Sequence, residues 1–142
     1  MIYLGSDHGG FALKQQLKKY LDSKKIKYED VGAYSEDVDN NVVGYAFDVA
    51  NKVKVSKENK GILVCGNGVG MSIAVNRIKG IRGALCRDTD TAKLAREHND
   101  ANVLVLGGRV TSASDAIDVL EIFFTTEFLG GKYAERISKL DV

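Results

Sequence analysis

Short apolar runs alternate with longer amphipathic stretches along the chain. The run Gly61–Cys65 is continuous and bounded by glycines, as expected for a strand buried on both faces of a parallel sheet. The other runs have similar lengths. Five strands are predicted: Ile2–Gly5, Ile26–Val31, Gly61–Cys65, Arg82–Cys86 and Val103–Leu106.

The stretches between these runs repeat apolar residues every three or four positions, which indicates helices with one buried face. Leu13, Leu17 and Leu21, for example, fall on the same side of the first helix. Asp88 or Thr89 is expected to cap the fourth helix, and Gly130-Gly131 to end the fifth. Six helices are predicted: Phe11–Lys25, Tyr45–Val55, Met71–Ile78, Thr89–Glu97, Ser112–Phe128 and Tyr133–Leu140.

Strands alternating with helices predict a three-layer α/β/α, Rossmann-like fold with an open sheet of five parallel strands. At 142 residues, the chain has the length of a single domain, residues 1–142. Right-handed crossovers bring the ends of all parallel strands to one edge of the sheet, the carboxyl edge, where such folds bind ligands. The segments that follow strands are therefore candidates for chemistry: Asp7–Gly10, Cys65–Gly70, Arg87-Asp88 and Gly107–Arg109.

Composition and charge exclude several classes of function. Lys and Arg total 20 against 19 Asp and Glu, so the chain lacks the basic field of a nucleic-acid-binding protein. No apolar run approaches the roughly 18 residues of a membrane span, and no secretory signal is visible, so a cytoplasmic protein without a membrane partner is expected. Two separated cysteines are expected as free thiols. With two histidines and no CxxC, neither a metal nor a cofactor is predicted.

The sequence GNGVG follows the third predicted strand and precedes a helix. Its three glycines allow a tight turn in which several backbone N–H groups point to a common anion. No Gly-Lys-Ser/Thr follows, and Met71 replaces the third glycine of the dinucleotide motif. A purely structural turn is the alternative. The candidate loop residues are Gly66, Asn67, Gly68, Val69 and Gly70.

Cys65 ends the third strand directly before this loop. Convergent N–H dipoles favour a thiolate at such a position, whereas the alternative is a small buried apolar residue. Cys86 ends a strand without following glycines and is interpreted as a core residue.

Two histidines and several cations complete the candidate set. We interpret His8, after the first strand, and His98, after the fourth helix, as lying at the same edge. Together with Arg109, Lys132 and Arg136, His8 forms a predicted phosphate-binding group, since Lys132 and Arg136 share one helix face. The alternatives are a solvated charged face and, for His98, a favourable contact with a helix dipole.

Taken in order, these motifs resemble type B ribose-5-phosphate isomerase from end to end. The resemblance rests on Asp7-His8-Gly9-Gly10, on CGNGVGMSIAVNR at 65–77, on REHNDANVL at 96–104 and on Gly107-Gly108-Arg109. The wider family includes allose-6-phosphate isomerases and the two subunits of galactose-6-phosphate isomerase. One galactose subunit lacks the cysteine, so Cys65 argues against that subunit.

The resemblance implies a metal-free aldose–ketose isomerisation through a cis-enediolate. It assigns Cys65 as the base, the Gly66–Gly70 amides to the enediolate oxygen, and His98 to opening of the sugar ring. Asp7 and Asn99 would bind sugar hydroxyls, and His8, Arg109, Lys132 and Arg136 the phosphate. It also implies a homodimer, or a tetramer built from it, with shared active sites and with the C-terminal helix on or across the partner.

The chain departs from the family pattern at three places. Asn67 replaces a frequent threonine, Asn41-Val42-Val43 replaces a common Asp-Tyr-Pro, and Lys132 replaces a common arginine. These departures concern substrate preference more than reaction type. A hexose-6-phosphate isomerase and a non-catalytic sugar-phosphate sensor therefore remain alternatives. A receiver-like signalling domain is set aside, because Cys65 stands where such a domain needs an aspartate.

Overall fold

A computed structural model describes residues 1–141, and its sheet consists of five parallel strands. The strands are β1 (Ile2–Ser6), β2 (Tyr28–Asp30), β3 (Lys60–Cys65), β4 (Gly83–Leu85) and β5 (Val103–Gly107). The helices are α1 (Phe11–Ser23), α2 (Val42–Val53), α3 (Val69–Val75), α4 (Thr89–Asn99), α5 (Ala113–Thr125) and α6 (Lys132–Ile137). The strand order is β2-β1-β3-β5-β4.

Helices cover both faces of this sheet. One core contains Leu17 of α1, Leu104 of β5 and Phe123 of α5, and the other contains Val49 of α2 and Leu63 of β3. The predicted three-layer α/β/α fold is thus confirmed. The chain order reverses between β1 and β3, so the crevice at the carboxyl edge is expected beside the ends of these strands.

The central strands are buried throughout, as their unbroken apolar runs predict. Every residue of β5 is buried, and so are the last five residues of β3. Cys86 is fully buried in the core, as predicted, and burial raises the pKa of its thiol to about 12. Both cysteines are free thiols. Within residues 1–141 no helix is long and apolar enough to cross a membrane.

Several helix boundaries differ from the prediction, and at two of them a side chain bonds to the backbone of the helix end. α2 begins at Val42, three residues early, because the Asn41 side chain accepts the N–H of Gly44 at 3.2 Å. α5 ends at Thr125, before Gly130-Gly131. The hydroxyl of Thr126 bonds back to a helix carbonyl, and its backbone is extended. Of the two caps predicted for α4, Asp88 or Thr89, the structure shows Asp88, whose side chain accepts the N–H of Thr91 at 2.7 Å.

A buried ion pair between α1 and the end of β2 lies next to the carboxyl edge of the sheet. Lys14 is fully buried in α1, and its Nζ lies 2.7 Å from the carboxylate of Asp30 at the end of β2. The same ammonium donates to the carbonyl of Ala33. The N–H of Ala33 in turn donates to the carbonyl of Ser6, directly before Asp7. The pair therefore holds the segment that leads into the candidate site.

Candidate active site

Three loops meet at the carboxyl edge because glycines allow their backbones to touch. A Cβ at Gly10 would overlap the carbonyl of Val64 in β3. A Cβ at Gly108 would lie 2.8 Å from the carbonyl oxygen of Gly9. The N–H of Gly108 also donates to the carbonyl of Cys65 at 2.7 Å. The segments predicted after β1, β3 and β5 are thus in direct contact.

The Cys65 thiol lies inside the glycine loop. Its Sγ accepts the N–H of Gly68 at 3.2 Å, and the residue is only 5% exposed. Gly68 has φ +88, and a side chain there would press against Leu85, so the turn requires glycine. The sulfur therefore faces a backbone N–H group at the start of α3.

The Asn67 side chain is occupied by the loop itself. Its Oδ1 accepts the N–H of Val69 at 2.9 Å, so the amide of Val69 is not left for an anion. The amides of Gly70 and Met71, in the first helical turn, have no acceptor within the helix. The Val42 side chain lies beside Gly70, where a Cβ would be 3.6 Å away. The departure at position 42 therefore contacts the candidate loop directly.

Two arginines lie against the same loop. A Cβ at Gly66 would be 3.6 Å from Nη1 of Arg109, and the N–H of Arg109 donates to the carbonyl of Gly66 at 2.9 Å. Arg87, which the sequence placed at this edge without a role, donates to the carbonyl of Asn67 at 3.4 Å. The exposed cations add positive charge around the turn.

Asp7 and His8 lie beside the loop and are held by different partners. Asp7 is 6% exposed and accepts the N–H of Gly10 at 3.1 Å. The Nδ1 of His8 lies 2.9 Å from the carbonyl oxygen of Asp39, whose own side chain accepts the hydroxyl of Tyr45. This hydrogen bond lowers the pKa of Asp39 and raises that of Tyr45 to about 12. With Nδ1 engaged, Nε2 is the ring nitrogen left to bind a ligand.

His98 does not lie at this edge, and the prediction that placed both histidines together is wrong. The helix α4 starts at the carboxyl edge, after β4, and its 11 residues carry the chain back over about 15 Å. At its end, the carbonyl of Asn99 accepts a hydrogen bond from Arg82, the residue directly before β4. His98 and Asn99 therefore lie at the amino edge, where the strands begin, on the far side of the sheet from Cys65.

The cations of α6 gather around His98 at the amino edge. The ring of Tyr133 stacks on His98 with a centroid distance of 4.3 Å. Lys132 and Arg136 lie over the same tyrosine ring, 5.2 Å and 5.6 Å from its centroid. Sequence reasoning therefore grouped Lys132 and Arg136 correctly with each other, but not with His8.

Three residues that sequence reasoning missed shape these groups: Asp39, Tyr45 and Tyr133. Tyr133 could have been predicted, because it is an aromatic residue between two cations on α6. Nothing in the loop sequence indicates a role for Asp39. In residues 1–141, no cluster of three His, Cys, Asp or Glu side chains could hold a metal ion.

This geometry, a buried thiol within a glycine loop beside cations, defines an enzyme site for an anionic substrate on an α/β fold. The model of the ribose/galactose isomerase family matches residues 2–140, and the chain belongs to this family. The prediction of a sugar-phosphate isomerase is thereby confirmed at the level of enzyme class.

Solved structures and a relative of type B ribose-5-phosphate isomerase match nearly the whole chain. A ribose 5-phosphate isomerase from Thermotoga maritima is 46% identical, with a TM-score of 0.95 over 99% of this chain and 96% of that one. Ribose-5-phosphate isomerase B from Mycoplasma genitalium, solved with bound ribulose-5-phosphate, is 38% identical, with a TM-score of 0.94 over 98% and 92%. Ribose-5-phosphate isomerase B from Mycolicibacterium paratuberculosis is 38% identical over 88% of this chain and 79% of its own.

Proposed function

We propose that the protein interconverts ribose 5-phosphate and ribulose 5-phosphate without a metal, through a cis-enediolate. The observation that carries the proposal is the Cys65 sulfur, which lies 3.2 Å from the N–H of Gly68 inside a glycine loop. The Mycoplasma genitalium relative with bound ribulose-5-phosphate supports the choice of substrate.

In this mechanism the thiolate of Cys65 removes the proton from C2 of the open-chain aldose. The electron pair moves toward the carbonyl and creates an enediolate, whose oxygen is stabilised by backbone N–H groups of the loop, Gly70 among them. The thiol then returns the proton to C1, and the proton of the C2 hydroxyl passes to the C1 oxygen, so that the carbonyl now stands at C2 and the ketose is formed. Asp7 binds a sugar hydroxyl.

The phosphate is bound away from the reacting carbons. Arg109 and His8 supply cationic and N–H groups at the carboxyl edge, and Lys132 and Arg136 supply charge from α6. Binding energy from this remote group holds the open chain in place for proton transfer. Asn99 contacts a hydroxyl, and His98 moves a proton to the ring oxygen when the furanose opens.

The same assignment requires two copies of the chain, because Cys65 and His98 lie at opposite edges of one sheet. We propose a homodimer in which α6 and the end of α4 from one copy complete the loop site of the other. Val69 and Ile73 of α3 are 42% and 57% exposed and share one helix face beside the loop. In the dimer, the second copy would cover this exposed apolar face of α3. A tetramer would pair two such dimers.

A cytoplasmic location belongs to the same proposal. Both thiols are free, and Cys65 must stay reduced to act as a base. The reducing conditions of the cytosol preserve such a thiol.

Hexose 6-phosphates are the second candidate substrate, and Val42 is the observation that favours them. It lies beside Gly70, where the family commonly places an aromatic ring. A smaller side chain leaves room for one more carbon in the sugar. Allose and galactose 6-phosphates would then be better substrates than ribose 5-phosphate.

The test is an NMR assay in D2O with EDTA present, on ribose, allose and galactose phosphates separately. Wild-type protein is expected to form ketose, with deuterium entering at the exchanging carbon, fastest from ribose 5-phosphate. Cys65→Ala should lose about 10³-fold or more in turnover while still binding ribose 5-phosphate. Cys86→Ala is the matched control, a thiol removed from the core rather than from the loop, and should keep turnover in the folded protein.

Each other outcome has a defined meaning. Near-normal turnover by Cys65→Ala would remove the cysteine from the base role. Binding without turnover by wild-type protein would make it a sugar-phosphate sensor. Faster conversion of a hexose phosphate would change the substrate but not the mechanism.

A further inference from the structure

A second group of cations lies around a cavity at the amino edge and shares no residue with the proposed isomerase site. The cavity of about 640 Å³ opens between the end of α2, the start of β3 and the segment before β4. We call it the lysine cavity. Its cations are Lys54, Lys57, Lys60, Lys79 and Arg82.

Both carboxylates that line this cavity have partners within the protein, and one of these partners, Arg82, is itself a cavity cation. Asp100 lies 3.4 Å from Arg82 and 2.8 Å from Arg96, so arginines neutralise its charge. The carboxylate of Asp141 accepts the N–H of Gly80 at 3.0 Å. Within residues 1–141, none of the four cavity lysines has a carboxylate within ion-pair distance. Positive charge is therefore concentrated here, although the whole chain carries only +1.

Lys60 is the most buried of the four cavity lysines. It is partly buried, and its ammonium donates only a long hydrogen bond, 3.4 Å, to the carbonyl of Lys57. Burial lowers the pKa of Lys60, and the nearby cation of Arg96 acts in the same direction. The carboxylates of Asp100 and Glu58 oppose this effect without cancelling it. Within residues 1–141 neither of them forms an ion pair with the Lys60 ammonium, so a bound anion would stabilise this partly desolvated charge.

We infer that the lysine cavity binds a small anion carrying at least two linked phosphate groups. A diphosphate matches several ammonium groups arranged around one opening better than a single phosphate does, because each phosphate can contact different lysines. The volume lies within the usual range for small-molecule sites and would also admit a nucleoside attached to the phosphates.

The test is isothermal titration with pyrophosphate, ATP and inorganic phosphate, in EDTA and low salt. Wild-type protein should bind pyrophosphate more tightly than inorganic phosphate, with an affinity that falls as salt is added. Lys57→Ala/Lys79→Ala should weaken pyrophosphate binding about tenfold. Lys19→Ala/Lys27→Ala is the control, because it removes the same charge from exposed lysines outside the cavity.

An Arg109→Ala arm separates this cavity from the proposed isomerase site, and it should leave pyrophosphate binding unchanged. ATP binding tighter than pyrophosphate binding supports a nucleotide, whereas equal affinities support linked phosphates alone. Three results would overturn the inference. They are loss of pyrophosphate binding in Arg109→Ala alone, equal weakening of binding in the two double-lysine variants, and no pyrophosphate binding by wild-type protein. Isomerase activity should stay normal in Lys57→Ala/Lys79→Ala, so failure here is distinct from failure of the proposed function.

Discussion

The two groups of candidate residues are held in place by different kinds of contact. At the carboxyl edge, Cys65 and Asp7 are buried, and backbone hydrogen bonds join their loops directly. At the amino edge, the half-buried rings of His98 and Tyr133 stack on each other, and Lys132 and Arg136 are exposed on a helix of six residues. The candidate loop is therefore preformed within one chain, whereas the second group is held mainly by side-chain stacking at the surface.

The largest expected effect is a loss of stability when the buried ion pair behind the carboxyl edge is broken. Asp30→Asn should lower the free energy of unfolding by about 3–5 kcal/mol, since it leaves the buried Lys14 ammonium without its carboxylate. Chemical denaturation measures the change, with Asp37→Asn in the exposed loop as control. A loss no greater than the control's would show that the ion pair does not hold this edge.

The pH dependence of that effect has a definite sign. Burial raises the pKa of Asp30, but the hydrogen bonds from Lys14 and Lys18 outweigh it, and the net pKa is lowered. The stabilisation is therefore fully present above the ordinary pKa of an aspartate, about 4, and is lost as the pH falls through the lower folded value. The gap between wild-type protein and Asp30→Asn should shrink below about pH 4.

The next largest effect concerns the amino edge and leaves stability intact. His98→Asn should slow turnover of ribose 5-phosphate by about 10²-fold through slower ring opening. Overall rates in the two directions are linked by the equilibrium constant, so pre-steady-state ring opening is the quantity to measure. An unchanged ring-opening rate would remove His98 from that role.

A smaller effect is expected at the aromatic ring that organises this group. Tyr133→Leu should raise KM about tenfold at nearly unchanged kcat, because His98, Lys132 and Arg136 all contact the ring. Tyr133→Phe keeps the ring and should stay within about twofold of wild type. Equal losses in the two variants would assign the effect to the hydroxyl instead.

The smallest effect concerns the hydrogen bonds behind His8. Tyr45→Phe should weaken sugar-phosphate binding about threefold, because the hydroxyl anchors Asp39 and Asp39 holds the imidazole. Because the Tyr45 hydrogen bond lowers the pKa of Asp39, the wild-type advantage should persist above about pH 4 and disappear as the pH falls through the lowered pKa, so that the two binding curves converge at acidic pH. Binding measured across acidic pH checks this, with Tyr34→Phe as control; identical profiles would contradict it.

Strong local patterns predicted most of the fold. The continuous apolar run at Gly61–Cys65 and the capping residue Asp88 both match the structure, because burial and capping depend on neighbours in sequence. The early end of α5 involves a contact with another helix besides the local bond of the Thr126 hydroxyl, because the carbonyl of Thr126 accepts a hydrogen bond from Arg96 of α4. The burial of Lys14 depends likewise on Asp30, which follows on a separate strand.

The predicted placement of the candidate residues is right at the carboxyl edge and wrong for His98. Cys65, the glycine loop and Arg109 come together as expected, since each follows a strand. His98 follows a helix instead, and the direction of a helix that returns from the carboxyl edge already places its end at the opposite side. Asp39 had no signal, because its role comes from the folded position of a loop.

The central claim is that residues from two copies complete each site, and mixing two inactive variants tests it directly. Cys65→Ala and His98→Asn would be unfolded together, refolded at equal concentrations and assayed with ribose 5-phosphate. Heterodimers carry one site with both native residues, so about a quarter of wild-type activity should return. Activity no higher than the average of the separate variants would contradict the account and place both residues within one chain's site.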